Sequence, residues 1–207
     1  MLKKIAKYQH KISFFNAIIF SVAALVFLVA GYVIFEPNLM KAAQDTDEVT
    51  ISLTVDSSIS LSSPSNASLG TISPGSGIGS TAVTWTVNTN NSLGWTLGVG
   101  ASGTPAMIGT GATFNDYTDG GTPESWSVPD TNAEFGFSAS GTRSVPAFGG
   151  WTNFLGFNGA TPIEVGTYNT VAEAEPITVH FQAQIGSSNT LSPGSYSAII
   201  TATATTL

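Results

Sequence analysis

Two hydrophobic patterns divide this chain, one continuous and one alternating. From Ser13 to Phe35 the sequence SFFNAIIFSVAALVFLVAGYVIF runs for 23 residues without a charge. As a helix rising 1.5 Å per residue it spans roughly 35 Å, enough to cross about 30 Å of hydrocarbon with some tilt. Beyond residue 48 the period becomes two. Val49, Ile51, Leu53 and Val55 alternate with Thr50, Ser52 and Thr54. Val83, Trp85 and Val87 alternate with Thr84 and Thr86, and Trp95, Leu97 and Val99 with Thr96 and Gly98. Phe135, Phe137 and Ala139 continue the pattern. Ile177, Val179, Phe181, Ala183 and Ile185 predict the longest strand, and Tyr196, Ala198, Ile200, Ala202 and Ala204 the last. Each run offers one face to a core and one to solvent, as in an antiparallel sheet.

Turn chemistry separates these runs. Asn88–Gly94, NTNNSLG, predicts a hairpin loop between two of them. Ser73–Ser80 and Ser187–Gly194 are rich in Ser, Pro and Gly and read as loops. No segment beyond residue 40 carries a helical period. Residues 100–176 are irregular, Gly-rich and aromatic, and predict long loops. The expected fold class is all-β, an antiparallel β-sandwich (Ig-like or jelly-roll-like) preceded by one N-terminal transmembrane helix.

Charge orients the apolar run. Lys3, Lys4, Lys7 and Lys11 precede it, which predicts a cytoplasmic N-terminus and an exported body. The expected organisation is a cytoplasmic tail (1–12), a transmembrane anchor or signal segment (13–35), a linker (36–48) and an extracellular β-domain (49–207). The run exceeds the usual 7–15 residues or so of a cleaved signal. The nearest cleavage candidates, at Ala42 or Ala43, place Met40 or Lys41 where a small residue is preferred. Both anchored and secreted forms stay open. From Ala43 onward one arginine stands against twelve acids, a net of −11. Such a surface repels phosphate backbones, so nucleic acid is excluded as a partner.

Composition removes most chemistry. Charged residues make up 9% of the chain, against about 25% in a typical domain. There is no cysteine, so no disulfide, thiolate metal site or thiol nucleophile can form. His10 and His180 are the two histidines, too few for a His-based metal site. No catalytic residues, metal or cofactor are expected, and the chain reads as a non-enzyme. Asp116 and Asp119 in NDYTDG lack the spacing of a calcium loop and read as a solvated turn. Glu173 and Glu175 likewise read as solvated.

The segment Ser92–Gly103, SLGWTLGVGASG, holds the W-x-L triplet Trp95-Thr96-Leu97. The C-terminal stretch PGSYSAIITATATTL places Gly194, Tyr196 and Ile200 in a G-x-Y-x-x-x-[LI] pattern. Together they resemble the WxL-type bacterial cell-surface domains over most of Val49–Leu207. The resemblance implies a secreted β-domain attached non-covalently to the cell wall, with Trp95 and Leu97 in the attachment motif. A second W-x-L usual in that family is missing, because Thr201-Ala202-Thr203 stands in its place.

Four residues are candidates for ligand contact. Trp95 and Leu97 share a strand face with Val99, which also suits a core. Trp126, in PESWSVP, and Trp151, in FGGWTNF, sit among Gly and Pro outside clean strands. Aromatic rings on loops can stack on sugar faces, or plug the end of a sandwich. The expected function is a non-enzymatic bacterial surface protein, structural or adhesive, held at the envelope by its N-terminal helix. Its expected partners are the membrane, a cell-wall polymer or surface carbohydrate, and further copies of itself. Two alternatives stand beside it. One is a wall- or carbohydrate-binding module. The other is a subunit of a surface filament, in which an edge strand or the apolar N-terminus packs between copies.

Overall fold

The computed structural model describes residues 2–34, 46–62, 64–75 and 77–207. Two units separate along the chain, Met1–Leu53 and Thr54–Leu207. The first is dominated by one helix, α1, Leu2–Ile34. It takes in the lysine-bearing tail as well as the apolar run. Its stretch Ser13–Gly31 has a mean hydropathy of 2.4 and is long and apolar enough to cross a membrane. Side chains along it are exposed. Residues 35–45, with the cleavage candidates and most of the expected linker, lie outside the described residues.

The second unit is mostly β. In chain order its strands are β1 Ile59–Leu61, β2 Ile78–Thr89, β3 Trp95–Ala101, β4 Met107–Gly109, β5 Ala112–Asp116 and β6 Glu124–Ser125. They continue with β7 Ala133–Ser140, β8 Asn153–Phe154, β9 Ile163–Tyr168, β10 Ala172–Ile185, β11 Tyr196–Ala198 and β12 Ile200–Thr206. The large sheet has the order β1-β2-β10-β7-β5-β4-β11, a smaller one β12-β3-β9, and β6 pairs with β8. β10 is its spine. Val179 faces Val83 on β2 and Ala139 on β7, so three apolar rows share one face. That face meets Trp95, Leu97, Val99 and Val165 of the smaller sheet in one core.

Four expectations are corrected. Val49–Val55 forms no strand, and Val49, Ile51, Leu53 and Val55 are exposed. Alternation prepares both faces of a strand, but no edge in the described chain supplies its ladder bonds. Asn88–Gly94 does not close a hairpin, because β2 and β3 belong to different sheets. The last alternating run is two strands. It breaks at Ile199, where β11 pairs with β4 and β12 with β3. Pairing is not antiparallel throughout, since β5 runs parallel to β7 through Asn115↔Glu134 and Asp116↔Phe135. An intervening stretch of Tyr117–Asn132 gives the chain room to return in the same direction.

The stretch 100–176 is more ordered than its composition suggests. It supplies β4 to β9 apart from the periodic β7, and buries both faces of β7. Phe135, Phe137 and Ala139 face the core, while Glu134, Gly136 and Ser138 on the opposite face are also buried. Gly136 is required by close approach. A Cβ there would meet Tyr117 Cβ at 2.7 Å and the Leu155 carbonyl oxygen at 2.8 Å. β3 is covered in the same manner, since a Cβ on Gly98 would lie 2.8 Å from Pro162 Cβ.

Candidate functional site

Trp95 and Leu97 are fully buried in the core. Their strand is central in the smaller sheet, with β12 on one side and β9 on the other. Neither side chain presents surface to a ligand. The Trp95 indole Nε1 is buried without a hydrogen-bond partner, a cost set against the ring's large apolar burial.

Trp126 is half-buried on the outer face of the large sheet. Its ring stacks on Tyr117 at 4.5 Å and 12°, and meets the Phe154 ring edge-on at 5.2 Å. Its Nε1 donates to Gln184 Oε1 at 2.7 Å. The Tyr117 hydroxyl donates to the Ser125 carbonyl and accepts from the Ser127 N–H. Trp126 is thus engaged on its faces and at its polar atom, as a clamp holding the 117–127 loop on the sheet.

Trp151 differs from the other three. It is 54% exposed. Gly149, Gly150 and Trp151 follow one another at φ 60, 67 and 82. The glycines adopt this left-handed backbone freely, but a tryptophan does so at a cost of about 1–2 kcal/mol. A short 3-10 turn, Pro146–Phe148, precedes them, and its Phe148 is buried in the core. The N–H groups of Trp151 and Thr152 both donate to the Phe148 carbonyl. Asn153 Nδ2 donates to the Ala147 carbonyl at 2.9 Å and closes the loop. A packed phenylalanine and a tight turn therefore project the indole from the surface.

The indole lies over His180 of β10, with ring centroids 4.9 Å apart and planes at 23°. His180 Nε2 and Ser140 Oγ share a hydrogen bond of 2.8 Å. Burial lowers the His180 pKa from its ordinary value of 6.5, because the charged ring loses hydration. Beside the stacked rings is a depression of about 190 Å³, lined by Ser80, Thr81, Ala82, Phe181 and Gln182 together with the two rings. No acidic or basic group other than His180 lines it. An aromatic face bordered by hydroxyl and amide groups suits a neutral polyhydroxy ligand better than an ion.

The acidic candidates resolve into loop ties. Asp116 Oδ1 accepts from the Ala106 N–H at 2.9 Å, and burial pushes its carboxyl pKa up despite that bond. Asp119 accepts from the Gly121 and Gly156 N–H groups, both at 2.7 Å. Both carboxylates thus stitch backbone to backbone. Among the described residues no group of three or more His, Cys, Asp or Glu is placed to hold a metal ion.

Two ionisable residues, one buried and one half-buried, escape sequence reasoning. Glu134 is wholly buried and accepts from Thr118 N, Thr118 Oγ1 and Asn132 Nδ2 at 3.2, 3.3 and 2.9 Å. In the sequence it occupies the polar position opposite Phe135, which alternation assigns to solvent. Arg143 rests 3.6 Å above the Tyr168 ring, and its Nε is buried without a partner. As the lone basic residue after Lys41, it was the one available signal. No protein-family model matches the chain, and no curated protein matches it either.

Proposed function

We propose that this is a non-enzymatic surface protein of a bacterial envelope, with its β-unit exported as a structural or adhesive module. The observation that carries the reading is the pairing of an apolar helix with an acidic β-unit. The apolar span Ser13–Gly31 is long enough to cross a membrane, and four lysines stand before it in the sequence. We read the two larger sheets as the layers of a sandwich around the shared core. Protease applied to intact cells making the full chain tests the reading. Digestion of the β-unit, with the N-terminal tail protected, is the expected result. Protection of peptides containing Trp126 and Trp151 contradicts it.

A second reading is favoured at one place. The half-exposed Trp151, stacked on His180 beside a small depression that Ser80 and Gln182 help to line, supports binding of a neutral carbohydrate. Under it, Trp151→Ala abolishes sedimentation of the full chain with purified cell walls and leaves the melting temperature within a few degrees. Unchanged sedimentation removes Trp151 from any binding role. The Trp95 strand carries no share of this reading, and the link to WxL-type domains rests on the sequence pattern alone.

A further inference from the structure

We propose that residues 49–55 of one copy add as a β-strand to the free edge of β12 in a second copy. The inference deepens the structural reading above by naming its partner, a further copy of the same chain.

The first observation is a strand without a sheet. VTISLTV alternates strictly between apolar and hydroxyl side chains and carries no charge, Gly or Pro. Its four apolar side chains are nonetheless 74–90% exposed, and its backbone pairs with no strand among the described residues. β-branched and apolar residues at this density favour a pleated, half-buried surface over water. The segment's C-terminal flank is anchored. The Ser58 N–H donates to Asn90 Oδ1, Asn90 Nδ2 to the Asp56 carbonyl, and Thr89 Oγ1 to the Ser58 carbonyl.

The second observation is an edge strand that is hydrogen-bonded into a sheet on one side only. β12, ITATATT, pairs with β3 on one side and is the end strand of its sheet. Natural edges are protected by Lys, Pro, bulges or inward charges, and β12 has none of these. Its burial alternates in step with its sequence. Ile200, Ala202 and Ala204 are half-buried against the core, while Thr201, Thr203 and Thr205 are exposed. The neighbouring β3 is almost wholly buried. β1 lies near β12, and its Ile59 and Leu61 are also half-buried against the core. The flank of the core where these two edge strands meet is thus incompletely covered, and the small alanines of β12 leave it shallow.

The two features complement each other. Both are seven residues long, with matching period and matching faces. With Val49, Ile51, Leu53 and Val55 turned inward, the large side chains cover the flank beside Ala202 and Ala204. Thr50, Ser52 and Thr54 then lie beside Thr201, Thr203 and Thr205, the kind of hydroxyl pairing favoured across strands. The added ladder satisfies backbone groups on both partners. Each copy offers one strand and one edge. The contact is therefore heterologous and continues from copy to copy, either as a closed ring or as an open filament.

The absence of cysteine makes the test clean. The full chain in detergent micelles receives one cysteine at Thr50, Ser52 or Thr54 and one at Thr201, Thr203 or Thr205, and is then oxidised. Adjacent strands bring Cα atoms about 4.5–5.5 Å apart, within disulfide range. A ladder of cross-linked multimers is expected for a subset of the nine pairs. Differently tagged Ser52→Cys and Thr203→Cys chains, mixed, are expected to give the mixed dimer. Ile51→Asp with Leu53→Asp is expected to cut the yield by about tenfold per residue. Both sites are highly exposed, so the double variant keeps the melting temperature of the parent. No multimer from any pair overturns the proposal, and so do bonds formed only within one chain or only between two β12 edges. Protease access on cells reads the envelope location separately, so the two readings fail independently.

Discussion

Residues 49–55 and residues 100–176 invert what their sequences suggest. The first has a clean strand period and pairs with no strand among the described residues. The second has little visible period, yet it supplies most of the short strands and covers the outer face of β7. The difference lies in what each can reach. A strand needs an adjacent edge for its backbone groups as well as a buried place for one face. The irregular stretch finds both through particular contacts: Tyr117 on Gly136, Trp126 on Gln184, and Leu155 exchanging two backbone bonds with Phe137. The alternating stretch has the side chains for a sheet but lacks an edge. Period two therefore records a capacity to pair, and topology decides whether that capacity is used within one chain.

A strand that is both patterned and paired sets the scale for this contrast. Trp95→Ala on β3 removes a wholly buried indole, and the expected cost is about 3–5 kcal/mol. That approaches the whole stability of a modest domain, so thermal denaturation should show the β-unit largely unfolded. A nearly unchanged melt places Trp95 outside the core and breaks the scale.

Glu134 probes the unpatterned side. Glu134→Ala strips the acceptor from Thr118 and Asn132 under the covering loops. The expected loss is about 1–3 kcal/mol by chemical denaturation, with Glu134→Gln losing less because it keeps an acceptor oxygen. Equal losses in the two variants show that charge, and not the loop ties, matters at this position.

A smaller effect is expected at His180. Its folded-state pKa is lowered by burial. Below the ordinary value of 6.5 the unfolded chain takes up a proton that the folded chain resists. Stability is therefore full above that value and falls as the pH drops toward the lowered one. The ring is partly exposed, so solvent moderates the loss. Melting temperatures between pH 7 and 5 should fall more steeply for the parent than for His180→Gln, a difference in which Asp116 cancels. Parallel slopes contradict the burial of the ring.

Least of all is expected from Leu53→Ser in the isolated chain. The side chain is 88% exposed, so stability should stay within about 0.5 kcal/mol. A larger loss means that the segment already packs within its own chain.

The longer strands β2, β3, β7 and β10 were legible from alternation, because Val83–Val87, Trp95–Val99, Phe135–Ala139 and Ile177–Ile185 each turn an apolar row to the core. The apolar helix was equally plain. The break at Ile199 was not, since the alternation of Tyr196–Ala204 passes through it without a fault in period. Period two says which face is buried and nothing about which sheet receives it. The covering layer was hidden for a related reason. Glu134 and Gly136 occupy positions that alternation assigns to water, and only the loops returning from Tyr117 and Leu155 bury them. Among the candidate site residues, the shared face with Leu97 and Val99 already pointed Trp95 toward the core. The Gly-Gly-Trp setting pointed Trp151 toward the surface. The partner of Trp151, His180, lies 29 positions away and became visible only through the register of β10.

Backbone hydrogen exchange, followed by mass spectrometry on the full chain in micelles at low and high protein concentration, tests the central contrast most directly. The amides of β7 and β10 should be strongly protected at both concentrations. Those of residues 49–55 should exchange almost freely in the dilute monomer and gain protection, together with β12, as copies associate. Strong protection of 49–55 in the dilute monomer contradicts the account, because the segment would then hold a partner edge within its own chain.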